Sequence, residues 1–171
     1  MTATDITGRG LKIIEDFITE EEENEILEML KPTPRRSTTE RNSVKRYGEV
    51  TYDNYMKSKD IPDFLQKIAQ KLVDEKLLDE LANSISINEF QRGQVVKPHI
   101  DNLESGDTIS VLSLKGHAIM KMEKDNESFT IELPPRTLLQ LFGEFRFFWK
   151  HSILPITCAE RYSIVFRYAK I

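Results

Sequence analysis

Cysteine is nearly missing from this sequence: Cys158 stands alone among 171 residues. No disulfide can form within the chain, and a reducing compartment suits it. Histidine is almost as scarce, at three, and tryptophan occurs once. No apolar stretch reaches the length of a helix that crosses a bilayer, and the opening residues lack the apolar core of a secretory signal. Repeats, low-complexity tracts and Gly/Ser linkers are absent, which argues against a solenoid or a string of modules. An excess of positive charge is lacking too. The formal net charge is −4, which argues against a broadly basic surface that coats nucleic acid, although local patches can still bind phosphate. The expectation is a monomer of the cytoplasm and/or nucleus with no membrane partner.

What is present suits a globular chain with a real core: 39% of residues are hydrophobic and 30% charged, ordinary proportions for one domain spanning 1–171. Leu11 to Phe17 reads as a strand-like entry. Thr19 then stands three residues before Glu22, the spacing of a capping box, ahead of Ile26, Leu27 and Leu30 at helical intervals. Residues 32–48 hold Pro32 and Pro34, then Arg35, Arg36, Arg41, Lys45 and Arg46 among small polar residues; they read as a basic surface loop, followed by Tyr47, Tyr52 and Tyr55. Pro62 opens a second helix with Phe64, Leu65, Ile68, Leu72 and Val73 along one face. From residue 84 the texture changes to short apolar runs with strand character: 84–90, 108–114, 118–122, 129–133, 137–142 and 162–168. Helices followed by a run of short strands predict an α+β, mainly β fold. The expected form is an antiparallel β-sandwich or jelly roll (double-stranded β-helix) over 84–171, buttressed by helices within 1–83.

Two of the three histidines sit in suggestive places. Pro98-His99-Ile100-Asp101 puts His99 and Asp101 two residues apart, so an extended segment projects both to one side. About fifty residues on, His151 closes Trp149-Lys150-His151. Two histidines and an aspartate form the facial set that holds ferrous iron with open positions. Judged alone, His99 also suits a surface turn, and His151 a solvent-exposed or core-capping position; His117 reads as structural. Arg161 and Arg167 lie six residues apart, which aims both at the same strand face with Ser163 and Val165 between them. Two guanidiniums on an inner face suit a doubly anionic ligand, though each could instead pair with an acid or reach solvent. Asn88 and Phe90 share a face of the strand before His99. The basic loop with its tyrosines can hold a polyanion and stack a base, or serve as a solvated connector.

Taken in order, these patterns resemble the AlkB-like Fe(II)/2-oxoglutarate-dependent dioxygenases. The motifs are Asn88-Glu89-Phe90 with Gly93, His99-x-Asp101, Leu133-Pro134-Pro135-Arg136-Thr137-Leu138-Leu139, Gly143-Glu144, Trp149-Lys150-His151 and Arg161 through Arg167. Lys45-Arg46-Tyr47-Gly48 is similar to the aromatic-Gly segment of the family's nucleotide-recognition lid. The resemblance implies Fe(II) held by His99, Asp101 and His151, with 2-oxoglutarate as cosubstrate and molecular oxygen as oxidant. Arg161 would meet the distal carboxylate, Arg167 would lie near the keto-acid end, and Asn88 would hydrogen-bond the cosubstrate. Arg46, Tyr47 and Tyr52 are the expected substrate contacts. Two positions depart from the pattern: Phe90 stands where the family often has tyrosine, removing a hydroxyl, and Ser163 stands where some members carry asparagine. The implied reaction is oxidative demethylation or hydroxylation of a modified nucleic-acid base, RNA favoured over DNA. The same chemistry on a protein side chain is the alternative, and a non-catalytic binding module is a third reading that the intact triad disfavours.

Overall fold

A computed structural model of the chain describes residues 4–5, 8–30, 41–49 and 60–170. Its strands, in chain order, are β1 (Thr4–Asp5), β2 (Leu11–Ile14), β3 (Ser43–Gly48), β4 (Ser84–Gln91), β5 (Val96–His99) and β6 (Ile109–Leu114). They continue with β7 (Ala118–Lys124), β8 (Glu127–Leu133), β9 (Leu138–Leu141), β10 (Lys150–Ile153) and β11 (Glu160–Arg167). Three helices accompany them, α1 (Glu20–Met29), α2 (Asp63–Asp74) and α3 (Gly143–Phe147). The strands form two antiparallel sheets. The larger has the order β1-β2-β9-β6-β11-β4-β3 and the smaller β5-β10-β7-β8. Facing sheets of this kind are the jelly roll expected from the sequence.

Alternation along β11 explains why the chain makes two cores. Tyr162, Ile164 and Phe166 point outward from the sheet pair and pack with Ile26 of α1 and Leu65, Ile68, Ala69 and Leu72 of α2. Val165 points inward and joins Val111, Met120, Met122, Leu139 and Trp149 between the sheets. The helices therefore buttress the outer face of the large sheet, as the helical spacing predicts. Thr19 caps α1 as its spacing with Glu22 implies: Thr19 Oγ1 accepts from Glu22 N at 3.1 Å, and Thr19 N donates to Glu22 Oε1 at 3.1 Å. Pro62 stands at the N-cap of α2. None of the described helices is long and apolar enough to cross a membrane.

The sequence reading needs correction in its first half. Residues 43–48, expected within a surface loop, form β3, an edge strand paired with β4 from Ser43↔Glu89 to Gly48↔Ser84. Backbone pairing with a strong neighbour overrides its polar composition. Gly48 ends it at φ +72, where a Cβ would lie 2.0 Å from the carbonyl oxygen of Asn83; only glycine fits there. The short strands β5 and β10 carry no pattern that marks them in the sequence. The segment 31–40 and residues 50–59, which include Arg35, Arg36, Tyr52 and Tyr55, lie outside the described residues.

Candidate metal centre and anion site

The small sheet brings the two distant histidines together. β5 and β10 pair antiparallel with His99 directly opposite His151, and their rings lie 4.3 Å apart between centroids. Asp101 follows two residues after the end of β5 and is buried, at 3% exposure. Its Oδ1 lies 3.2 Å from His99 Nε2 and 3.3 Å from His151 Nε2. One ligand atom from each of the three residues falls within 4.8 Å of the others, close enough to share one metal ion. His99 Nδ1 sits 2.8 Å from the carbonyl oxygen of Lys97. Donating there fixes the tautomer that leaves Nε2 free to ligate.

Charge is tightly arranged around this carboxylate. Burial would push Asp101 up, but the bonds from His151 and His99, with the charge of Arg167, hold it well below the usual carboxylate range. Hydrogen bonding to Asp101 raises His99 above its ordinary value. Burial lowers His151, which favours the neutral imidazole that a metal requires. Arg167 Nε donates to Asp101 Oδ2 at 2.8 Å, and its Nη1 to Ser86 Oγ at 3.2 Å. Oδ2 is thereby occupied while Oδ1 faces the imidazoles.

A residue the sequence left without a role supports this loop from behind. Arg146, on α3 and 2% exposed, donates from Nε to Gly106 O at 2.9 Å, from Nη1 to Asp101 O at 3.1 Å and from Nη2 to Asn102 O at 2.7 Å. One guanidinium gathers three carbonyls of the turn that carries Asp101. No sequence period marks Arg146 for this task, because its acceptors are backbone atoms about forty residues away.

Arg161 occupies a different environment. It is 1% exposed, donates from Nη2 to Ser113 Oγ at 2.9 Å, and lies with its guanidinium carbon 5.1 Å from the centre of the Phe90 ring. Its Nε has no partner, and no carboxylate forms an ion pair with it among the described residues. Burial brings its pKa down to about 10. A buried guanidinium with an idle donor calls for an anion.

The other expected site residues divide by strand parity. Asn88 faces inward with Ser86, and its Oδ1 accepts from Asn42 Nδ2 at 3.0 Å. Arg46, opposite Ser86 on β3, lines a cavity of about 790 Å³ together with Asn88, Lys97, His99, Asp101 and Arg167. Tyr47 is corrected: as the next residue of an extended strand it faces the other way, packs against the helical core and lines a separate cavity of about 420 Å³ with Lys45 and Phe64. Tyr52 lies outside the described residues.

A jelly roll carrying two imidazoles and a carboxylate on one exposed cavity, with two inward arginines on the last strand, defines a non-haem metal oxygenase site. Comparison with known proteins agrees. The family model of the 2OG-Fe(II) oxygenase superfamily matches residues 10–167. A tRNA (carboxymethyluridine(34)-5-O)-methyltransferase alkbh8 of Xenopus tropicalis is 34% identical over 158 residues, covering 85% of this chain and 25% of that protein. A DNA N6-methyl adenine demethylase of Caenorhabditis elegans is 25% identical, covering 85% of this chain and 54% of that protein. Among solved structures, OsALKBH1 matches with a TM-score of 0.74 at 13% identity, covering 98% of this chain and 100% of that one. The chain belongs to the 2OG-Fe(II) oxygenase superfamily and is AlkB-like within it. As a family member it is a dioxygenase that uses Fe(II), 2-oxoglutarate and molecular oxygen. It spans about a quarter of the length of the Xenopus relative.

Proposed function

We propose that this chain oxidatively demethylates or hydroxylates a modified nucleic-acid base, RNA slightly preferred over DNA, with His99, Asp101 and His151 holding the iron. The donor set fits that metal. Three ligand atoms lie within 4.8 Å of one another, His99 is fixed in the ligating tautomer, and Asp101 stays ionised. When bound, iron with 2-oxoglutarate and oxygen supplies the oxidising power for a substrate C–H bond; the protein supplies geometry. Arg167 holds Asp101 Oδ2, orienting Oδ1 toward the metal position. Arg161, with its idle Nε, receives the distal carboxylate of the cosubstrate, and Asn88 lies on the inner face between the two arginines.

One observation carries the choice of substrate: the cavity over the triad is lined by Arg41, Arg46, Lys97 and Arg167, while Asp101, the only acid among its described lining residues, is taken up by the metal site. A cationic rim on an acidic chain suits a localised phosphate backbone rather than a broad coating. Extrusion of a paired base is costly, so single-stranded or loop substrates are favoured. The relatives named above as acting on tRNA and on DNA support the nucleic-acid class, and such a substrate suits work in the cytoplasm or nucleus. The net charge of −4 keeps a protein side chain as the second reading.

The test is a panel of methylated oligonucleotides and peptides incubated with iron, 2-oxoglutarate and oxygen, read by substrate mass change together with succinate. The expected result is turnover of a methylated single-stranded oligonucleotide that His99→Ala abolishes. Equal succinate from wild type and His99→Ala would overturn the enzymatic reading. Turnover of peptides alone would move the substrate to protein.

A further inference from the structure

Register places four polar side chains in one row across the inner face of the large sheet. Ser163 of β11 stands opposite Asn88 of β4 on one side and Ser113 of β6 on the other. Beyond Ser113 comes Thr137, at the entry to β9. Arg136 N donates to Ser113 O at 2.8 Å, and Ser113 N donates to Thr137 O at 2.9 Å, so two residues face one. Arg136 takes φ +68 there, the geometry of a bulge. The bulge sends Arg136 outward to Glu23 and Asp16. Thr137 keeps the parity of Leu139 and Leu141, which pack between the sheets. Ser113 is fully buried, and Thr137 and Ser163 are exposed by only 1% and 3%. The row lies among apolar neighbours of the inter-sheet core.

Two described buried side-chain polar atoms have no hydrogen-bond partner: Thr137 Oγ1 and Arg161 Nε. Ser113 connects them, since its Oγ accepts from Arg161 Nη2 and its backbone bonds that of Thr137. Facing residues on one side of an antiparallel pair have Cβ atoms about 5 Å apart, so a carboxylate at the Arg161 edge comes within reach of the Thr137 hydroxyl. Leaving a buried hydroxyl unpaired is costly, and a single anion at this place satisfies both idle atoms. The ring of Phe90, stacked beside Arg161, offers no hydroxyl to that anion.

We propose that Thr137 donates a hydrogen bond to the distal carboxylate of 2-oxoglutarate and, with Arg161, makes the site selective for a diacid. The inference rests on the cosubstrate reading given above. Thr137 is the hydroxyl donor that Phe90 cannot be, delivered from the far side of Ser113 by the bulge at Arg136. It acts on binding and takes no part in the oxidation.

The experiment is calorimetric titration of the Mn(II)-loaded protein, without oxygen, with 2-oxoglutarate and with 2-oxobutyrate, which lacks the second carboxylate. Thr137→Val keeps the shape and removes the hydroxyl. The expected result is about tenfold weaker 2-oxoglutarate binding, unchanged 2-oxobutyrate binding, and recovery of the diacid preference in Thr137→Ser. Unchanged 2-oxoglutarate affinity in Thr137→Val, or an equal loss for both ligands, overturns the proposal. Arg161→Met tests the parent reading separately. If that variant still prefers the diacid as strongly as wild type, the cosubstrate site itself lies elsewhere.

Discussion

Asp101 has two carboxylate oxygens, and the fold gives them different partners. Oδ2 is bonded by Arg167, and Oδ1 lies between two imidazole nitrogens. The same carboxylate therefore sets the protonation of its neighbours. Its hydrogen bond raises His99, while burial lowers His151. A metal must displace any proton from the imidazole it binds, so the raised group governs the pH dependence. Burial moves His151 below its ordinary value, so its neutral form predominates at pH 6.5. The bond to Asp101 moves His99 above its ordinary value, so its protonated form predominates there. Affinity for Mn(II) should hold at alkaline pH, begin to fall above pH 6.5, and then drop about tenfold per pH unit as one proton competes for the site. Metal titrations between pH 8.5 and 6 check this, and a flat profile would contradict the arrangement.

At the level of elements, the site depends on joints that pattern alone does not reveal. β5 and β10 are four residues each, too short and too polar to show a period of two, yet their register sets His99 against His151. The sequence singled out all three residues of the cluster because their spacing is local or familial; it did not show why they meet. β3 reads as loop for a similar reason, since edge pairing to β4 leaves its composition free. Parity nevertheless separates Arg46 from Tyr47 once the strand is known. Arg146 joins α3, which leads into β10, to the turn that carries Asp101, so it links the two halves of the triad. Arg146→Met keeps the bulk and removes three charge-assisted bonds. The expected cost is about 3 kcal/mol, or roughly 6–12 °C in Tm, with Mn(II) affinity reduced about 10- to 100-fold. A lower Tm with unchanged metal affinity would confine Arg146 to stability.

Across the whole molecule, the helices and the outward residues of β11 were legible as apolar periodicity, and the inward arginines as parity. The polar row from Asn88 to Thr137 was not, because its members come from four strands and only cross-strand register aligns them. Charge follows the same division between local and global. A net charge of −4 argues against nucleic acid for the surface as a whole, while the cavity rim concentrates Arg41, Arg46 and Lys97 beside the triad. Binding of a single strand through these three cations releases counterions in proportion to the phosphates met. With about −0.7 per contact, the slope of log K against log salt should be about −2. Arg46→Ala should reduce the magnitude of that slope by about 0.7 and weaken binding across sequences alike. Tyr47→Phe, altering a side chain on the opposite face of the sheet, should leave the slope unchanged. Fluorescence anisotropy of a labelled single-stranded RNA over 20–200 mM salt measures both. A slope near zero in wild type would remove the phosphate contacts from the rim and favour the protein substrate, because an uncharged peptide side chain entering the same cavity releases no condensed counterions.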